Sequence, residues 1–331
     1  MKLLVTGSSG HLGEALVRTL QEHGHDVSGI DMLDSPFTTA VGSIADRNIV
    51  RRCMTDIDAV LHTATLHKPH VVTHSMQSFI DTNITGTLVL LEEAVTAGVQ
   101  SFVFTSTTSV FGDALRPPVG QPAAWVTEDV TPIPKNIYGV TKTAAEGLCQ
   151  LFHKQHGLPC LVLRTSRFFP EDDDNASVRS SYKDENVKAN EYLYRRVDLE
   201  DVVQAHLCAL DKASEIGFDR FIISATTPFL REDIWELREN AARTVERRVP
   251  GFSAVYAKLG WEMFPSIDRV YVNNKAHDVL GWRPKYDFQH VIWRLEQGKD
   301  PRSGLAVEVG SKRYHAEELA KLFGEGPFPV E

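Results

Sequence analysis

The sequence predicts a doubly wound α/β fold, a parallel sheet with helices on both faces. Two observations carry this. Short β-type runs alternate with helical patterns through the first two thirds of the chain. A glycine-spaced turn, Thr6-Gly7-Ser8-Ser9-Gly10-His11-Leu12-Gly13, directly follows the first of those runs. The 331 residues are 42% hydrophobic and 24% charged, the balance of a globular chain rather than a disordered one. At about 150 residues per domain the length suits roughly two domains or one large α/β unit.

Taken in order, the strands fall at Leu3–Thr6, Asp26–Ile30, Ala59–His62, Ser101–Thr105, Cys160–Leu163 and Phe218–Ser224. Between the first two, Leu12, Ala15, Leu16, Thr19 and Leu20 recur at helical spacing, and Gly24 supplies a stop. Phe79 to Val95 carries a second apolar helical face that ends at Gly98. Tyr138 to His156 is a third, with Ala144, Leu148, Leu151 and Phe152 on one side. After Leu163 the regularity weakens. Glu171 to Arg196 is charged, opens with Glu171-Asp172-Asp173-Asp174-Asn175, and has few aliphatic residues. It reads as a solvated surface loop or as a flexible lid over a site. Beyond Thr227 come a helix from Arg231 to Arg248 and an aromatic, Pro/Gly-rich remainder.

Charge and cysteine usage exclude several classes. With 35 Lys+Arg against 44 Asp+Glu the net charge is −9, which argues against a chain-wide nucleic-acid surface. No apolar run reaches the roughly 18–20 residues of a membrane span, and the start, Met1-Lys2-Leu3-Leu4-Val5, breaks into Gly and Ser too early for a secretory signal. Cys53, Cys149, Cys160 and Cys208 form no C-x-x-C pair, which fits a reducing cytoplasmic setting better than a disulfide or zinc scaffold. His62, His67, His70 and His74 lie close in sequence, but no carboxylate or cysteine completes a metal set and Pro69 breaks any helix there. No metal is expected.

The glycine turn sits between a strand and a helix, the context that gives such a pattern meaning. Gly7 permits the tight turn, Gly10 lets the backbone approach a pyrophosphate, and Gly13 lets the helix pack closely. The helix start at His11 and Leu12 offers free N–H groups and a positive dipole end. Asp31 ends the second strand, where a carboxylate accepts from ribose hydroxyls and repels a 2′-phosphate. The implied cofactor is NAD rather than NADP. Tyr138 and Lys142 then stand four apart on one helical face. A nearby cation favours an ionised phenol, whose ordinary pKa near 10 makes it a poor base. Upstream, Thr105-Ser106-Thr107-Thr108-Ser109 loads hydroxyls onto the end of a strand, where ligands of open parallel sheets bind.

These motifs, in this order, resemble the extended short-chain dehydrogenase/reductases, the NAD-dependent epimerases and dehydratases. The shared patterns are T-G-x-x-G-x-x-G, N-x-x-G-T at Asn83–Thr87, S-[ST]-x-x-V-[YF]-G at Ser106–Gly112, Y-x-x-x-K, and a late L-G-W-x-P at Leu280–Pro284. The resemblance covers residues 1–165 well and the rest loosely. It implies a Rossmann-type NAD domain over 1–165, with 197–226 returning to it, and a smaller substrate-binding region and lid over 166–196 and 227–331. It further implies a catalytic triad of Thr107, Tyr138 and Lys142. Tyr138 would act as acid and base, Lys142 would bind the nicotinamide ribose and lower the tyrosine pKa, and Thr107 would orient the substrate oxygen. Ser106 is the rival for that last role. Matched positions add Ser43, Ile44, His62, Thr63, Ala64, Thr105, Thr165 and Ser166 as cofactor contacts, with Asn83 as a structural link. A homodimer through the two long helices is also implied.

Two departures narrow the chemistry. Family dehydratases carry acidic residues directly after the catalytic hydroxyl; this chain has Thr108 and Ser109. An epimerase or simple dehydrogenase is therefore expected over a dehydratase. Nucleotide-sugar enzymes read L-R-x-x-N after the sixth strand, whereas this chain reads Leu163-Arg164-Thr165-Ser166-Arg167. Arg167 is either a fork for an anionic substrate or a partner for the Glu171–Asp174 acids. His67 and Thr108 complete the candidate substrate contacts. The expected activity is hydride exchange at a secondary hydroxyl of a sugar or sugar-like small molecule. A dehydrogenase of a non-sugar alcohol and a non-catalytic NAD sensor are the alternatives.

Overall fold

The computed structural model describes residues 1–173 and 175–312. Asp174 and the end of the 227–331 region lie outside the described residues. Nine strands occur among them: β1 (Lys2–Thr6), β2 (Asp26–Asp31), β3 (Ala40–Val41), β4 (Ala59–His62), β5 (Ser101–Thr107), β6 (Ala124–Val126), β7 (Cys160–Thr165), β8 (Phe218–Ile223) and β9 (Arg269–Tyr271). Seven form one sheet in the order β3-β2-β1-β4-β5-β7-β8, every neighbouring pair parallel. Strands β4, β5 and β7 are buried along their whole length, as parallel strands covered on both faces must be. That burial explains why they read as continuous apolar runs.

One face packs on helices His11–Glu22 and Leu199–Ile216, with Leu16, Leu20, Val202 and Ala209 in the core. The other packs on Gly86–Ala97 and Ile137–His156 through Leu90, Leu91, Ala145 and Phe152. Chain order reverses between β1 and β4, which opens a crevice at their carboxyl ends. A second core gathers Tyr192, Leu193, Phe229, Leu237, Phe252, Tyr256 and Phe288. Trp282 of the Leu280–Pro284 motif packs instead on the first face of the sheet. Its indole N–H donates to the Asp201 carbonyl at 2.9 Å.

Five stretches differ from the sequence reading. Strand β3 and helix Arg47–Cys53, capped by Asp46, are too short to show a period. Leu199–Ile216 goes unmarked above although Asp198 caps it. The predicted helix Arg231–Arg248 is broken at Asn240, whose side chain caps a fresh start at Ala241 by accepting from Arg243 N–H. The 171–196 stretch is not a solvated loop: it contains helices Ala176–Ser181 and Asp184–Glu191 and buries Asn186, Asn190 and Glu191. Amides do the packing there. Asn186 and Asn190 both donate to the Glu262 carbonyl, at 3.0 and 2.9 Å, and Tyr256 O–H donates to Asn190 at 2.8 Å.

Candidate active site

The crevice is a cleft of about 1060 Å³, the size of a site for large ligands. Its floor at one end is the glycine turn. Gly7 adopts a φ of +73°, and a Cβ there would meet Ala64 N at 2.7 Å. A Cβ on Gly13 would lie 1.9 Å from the Gly7 carbonyl oxygen. Gly7 is therefore required by conformation and by contact, and Gly13 by contact. Helix His11–Glu22 begins at Gly10 with no side-chain cap, so its first N–H groups remain open to an anion at the cleft wall. Asp31 ends β2 with its carboxylate fixed by Ser9 N–H and Leu33 N–H, both at 2.9 Å. Ser43, Ile44, Thr63 and Ala64 complete this end of the wall.

Asn83 sits in a π-helical turn, Ile80–Thr85, a device common at functional sites. Its side chain accepts from Leu66 N–H and donates to the Leu66 carbonyl, both at 2.9 Å, and donates to Thr141 at 3.0 Å. The turn after β4 is thereby tied to the Ile137–His156 helix. That helix starts at Asn136, which accepts from Gly139 N–H at 2.9 Å. Gly139 is needed because a Cβ would stand 2.9 Å from the Ser109 carbonyl. The helix can thus press against the hydroxyl-rich end of β5.

There Thr107 and Tyr138 both line the cleft, and the threonine hydroxyl is near enough to draw the phenol's pKa downward. Ser106 is committed elsewhere: its hydroxyl donates to the buried Glu146 carboxylate at 2.6 Å. Between the two rivals, the geometry favours Thr107. Thr105 lines the cleft, but its hydroxyl donates to His206 Nε2 at 2.7 Å, since His206 Nδ1 donates to the Val202 carbonyl. Thr108 is in the wall as well. Ser166 is 3% exposed with its Oγ lacking any partner, a buried polar atom at the cleft suited to a ligand amide.

Three expectations need correction. His62 lies beneath the cleft, not in its wall; its ring nitrogens meet Thr6 Oγ1 at 2.7 Å and Thr87 Oγ1 at 2.9 Å, and burial holds it neutral. Lys142 is buried one turn along the helix from Tyr138, its ammonium 4.0 Å from the centre of the Phe104 ring. Burial brings Lys142 down to about 7 and pushes Tyr138 up to about 12, and the influence opposing the latter is the Thr107 hydroxyl rather than the lysine. Arg167 is not an open fork. It reaches the cleft, but its guanidinium donates to the Glu171 and Asp172 carbonyls at 2.8 and 2.5 Å and pairs with Asp173 at 3.6 Å. The neighbouring acidic run has claimed it.

The structure also brings in residues that sequence spacing did not suggest. Lys68, Arg116, Lys135, Arg195, Arg238 and Arg269 all line the cleft, against Asp173 and Asp268. Their separation along the chain leaves no local signal. His67 is in the wall too, its ring 4.5 Å from His70 and 5.6 Å from Phe169. Among the described residues no group of His, Cys, Asp or Glu is arranged to hold a metal.

The fold and this cleft define a dinucleotide-binding α/β protein. Residues 3–223 match the NAD dependent epimerase/dehydratase family, and the chain belongs to that family. A UDP-glucose 4-epimerase from Lactobacillus helveticus is 26% identical, over 87% of this chain and 93% of its own length. A dTDP-glucose 4,6-dehydratase from Streptomyces antibioticus is 28% identical, over 89% and 91%. A 34% match to the uncharacterized protein y4nG of Sinorhizobium fredii takes in 49% of this chain and only 39% of that relative. In fold, the chain is similar to a short-chain dehydrogenase/reductase from Agrobacterium tumefaciens with bound NAD. That structure gives a TM-score of 0.63 at 20% identity, over 98% of this chain and 100% of the other. No helix among the described residues is long and apolar enough to cross a membrane.

Proposed function

We propose that the chain is an NAD-dependent epimerase, or a dehydrogenase, acting on a secondary hydroxyl of an anionic sugar or sugar-like substrate. The observation that carries this reading is the Thr107–Tyr138 hydroxyl pair in the wall of the same cleft as the glycine turn. The residues present fit NAD: Gly7 and Gly13 leave room only for backbone, Asp31 faces the ribose position, and Ser166 offers a free buried hydroxyl for the carboxamide. When bound, NAD supplies the hydride acceptor and a positive charge that favours ionisation of a nearby phenol.

Tyr138 holds the proton that is exchanged with the substrate oxygen. At about 12 the phenol is protonated at neutral pH, the form that donates to a carbonyl. Thr107 fixes the direction of that O–H and offers the substrate oxygen a second partner. Lys142, screened from water, is the reserve of charge behind the phenol. Thr108 and Ser109 supply no acid for eliminating water, which favours epimerisation or oxidation over dehydration. Lys135 stands so near Arg116, Lys68 and Arg269 that their charges add to burial in lowering its pKa. A cationic wall in a chain of net charge −9 suits a carboxylate or phosphate on the substrate. A homodimer goes with this reading, joined along the helical stretch 76–97 and the helix Ile137–His156, where Met76, Ile80, Val140 and Leu151 are exposed.

The test is purified protein with NAD against a panel of sugar nucleotides, sugar phosphates and sugar acids, followed by absorbance of reduced cofactor and by product stereochemistry. Stereoisomer formation without net reduction marks an epimerase, and net reduction a dehydrogenase. Tyr138→Phe should abolish either activity while NAD still binds. Turnover that survives this substitution would exclude the mechanism.

A further inference from the structure

Glu146 is the most heavily bonded carboxylate in the sheet region, and no step above uses it. It is 2% exposed and lies one helical turn beyond Lys142. It accepts from Ser106 Oγ at 2.6 Å, from Arg164 Nε and Nη2 at 3.0 and 2.8 Å, and from Arg220 Nε at 3.1 Å. Four elements meet at this one group: the helix carrying Tyr138 and Lys142, the end of β5 carrying Thr107, β7 through Arg164, and β8 through Arg220. A buried ion-pair cluster taken as a whole can often be replaced by apolar packing at little cost, so its presence is weak evidence of a stabilising role. Its location beside the reacting groups points to a different role.

We propose that Glu146 is a positioning residue for the proton-transfer pair. Resting on the reading above, it holds the Thr107 strand end against the Tyr138–Lys142 helix and sustains the charge of Lys142. By binding Ser106, it also removes that hydroxyl from competition for the substrate oxygen. The groups facing the Lys142 ammonium are Glu146 and Cys149 on its own helix, His62 at the end of β4 and the Phe104 ring of β5. The Cys149 thiol in turn meets that of Cys160 on β7. His62 is held neutral and the Cys149 thiol is pushed upward. Glu146 therefore supplies the full negative charge in that set. Burial lowers Lys142 most, and against it Cys149 and then Glu146 act to raise it. Arg220, 27% exposed at its side chain, connects the carboxylate to the surface.

The sign follows from charge. Lys142 is cationic at low pH and loses its proton as pH rises, so activity that needs the cation falls on the alkaline side. Glu146→Gln removes the supporting anion and should move that limb of the kcat profile downward by about one pH unit, lowering kcat about tenfold at pH 8 with KM little changed. Arg220→Gln removes a cation beside Glu146 and should move the limb upward. Because Arg220 is partly exposed, this variant tests the proposal even where Glu146→Gln does not fold. A purely structural Glu146 would lower the melting temperature and scale kcat without moving the limb. Opposite displacements support the proposal, and unmoved limbs in an active folded protein overturn it. A wild-type protein inactive on every substrate, though it binds NAD, would instead overturn the functional reading itself.

Discussion

Replacing Gly13 by alanine would set a methyl carbon 1.9 Å from the Gly7 carbonyl oxygen, 2.6 Å from the Gly7 carbonyl carbon and 2.8 Å from Ser8 Cα. All three are backbone atoms, so no side chain can swing aside. Ordinary contact requires the helix and the turn to separate by roughly 1.5 Å, and overpacking of this kind typically costs about 1–3 kcal/mol. The turn must move away from the position that suits a pyrophosphate. If the strain falls on binding, NAD affinity drops about 5- to 150-fold. Calorimetric titration with NAD reads this directly, with circular dichroism as the check on folding. Gly147→Ala, on the exposed face of the Ile137–His156 helix with nothing within 4 Å, is the matched control. It should bind NAD normally and gain about 0.5–1 kcal/mol in stability. An unchanged Kd in a folded Gly13→Ala protein would refute the assignment of this turn to the cofactor.

Three further outcomes follow from the same geometry. Asp31→Ser should narrow the preference for NAD over NADP by about tenfold or more, read as the ratio of the two Kd values; an unaltered ratio would dissociate Asp31 from the ribose. His206, fully buried, is lowered to about 4 by burial, whereas an unfolded imidazole binds its proton near 6.5. The unfolded state therefore holds more protons between those values, so this contribution is whole above about 6.5 and is lost as pH falls towards about 4. Urea midpoints at pH 7.5 and 5.0 should fall less in His206→Gln than in the wild type. Asp201, raised to about 7, titrates with the opposite sign in both proteins and largely cancels in the comparison. Lys135→Met should raise KM for an anionic substrate several-fold and weaken its salt dependence, while leaving NAD affinity unchanged.

The cofactor half was legible because its constraints are local. Gly7, Gly10 and Gly13 sit in one turn, Asp31 ends the adjoining strand, and Tyr138 and Lys142 share one helix face. Spacing along the chain translates directly into spacing in the fold. The hydroxyls of β5 were legible only as a group. Ser106 and Thr107 alternate across the strand, and the choice between them depends on Glu146, forty residues away on a helix. His62 misled for the opposite reason. Its turn borders the cofactor cleft, but its ring points back to Thr6 and Thr87. No pattern of residue types records that direction.

The part proposed to receive the substrate was illegible because it is built from groups that resemble surface when read in sequence. Glu191, Arg195, Arg196, Arg167 and Asp173 look like solvated charge, yet Glu191 is fully buried and pairs with Arg195 and Arg196 at 2.6 and 2.7 Å. Asn186 and Asn190 do the work that leucines do elsewhere. Once these partners are known, Arg167 changes meaning: it holds the 171–173 segment, and the cationic character of the site passes to Lys68, Arg116, Lys135 and Arg269. These four come from segments between the ends of β4 and β9, and only the fold assembles them. The proposed anionic substrate thus rests on these four, and of the two roles open to Arg167 in the sequence it is the pairing with the acidic run that the structure shows. The charge belongs to the cleft as a whole.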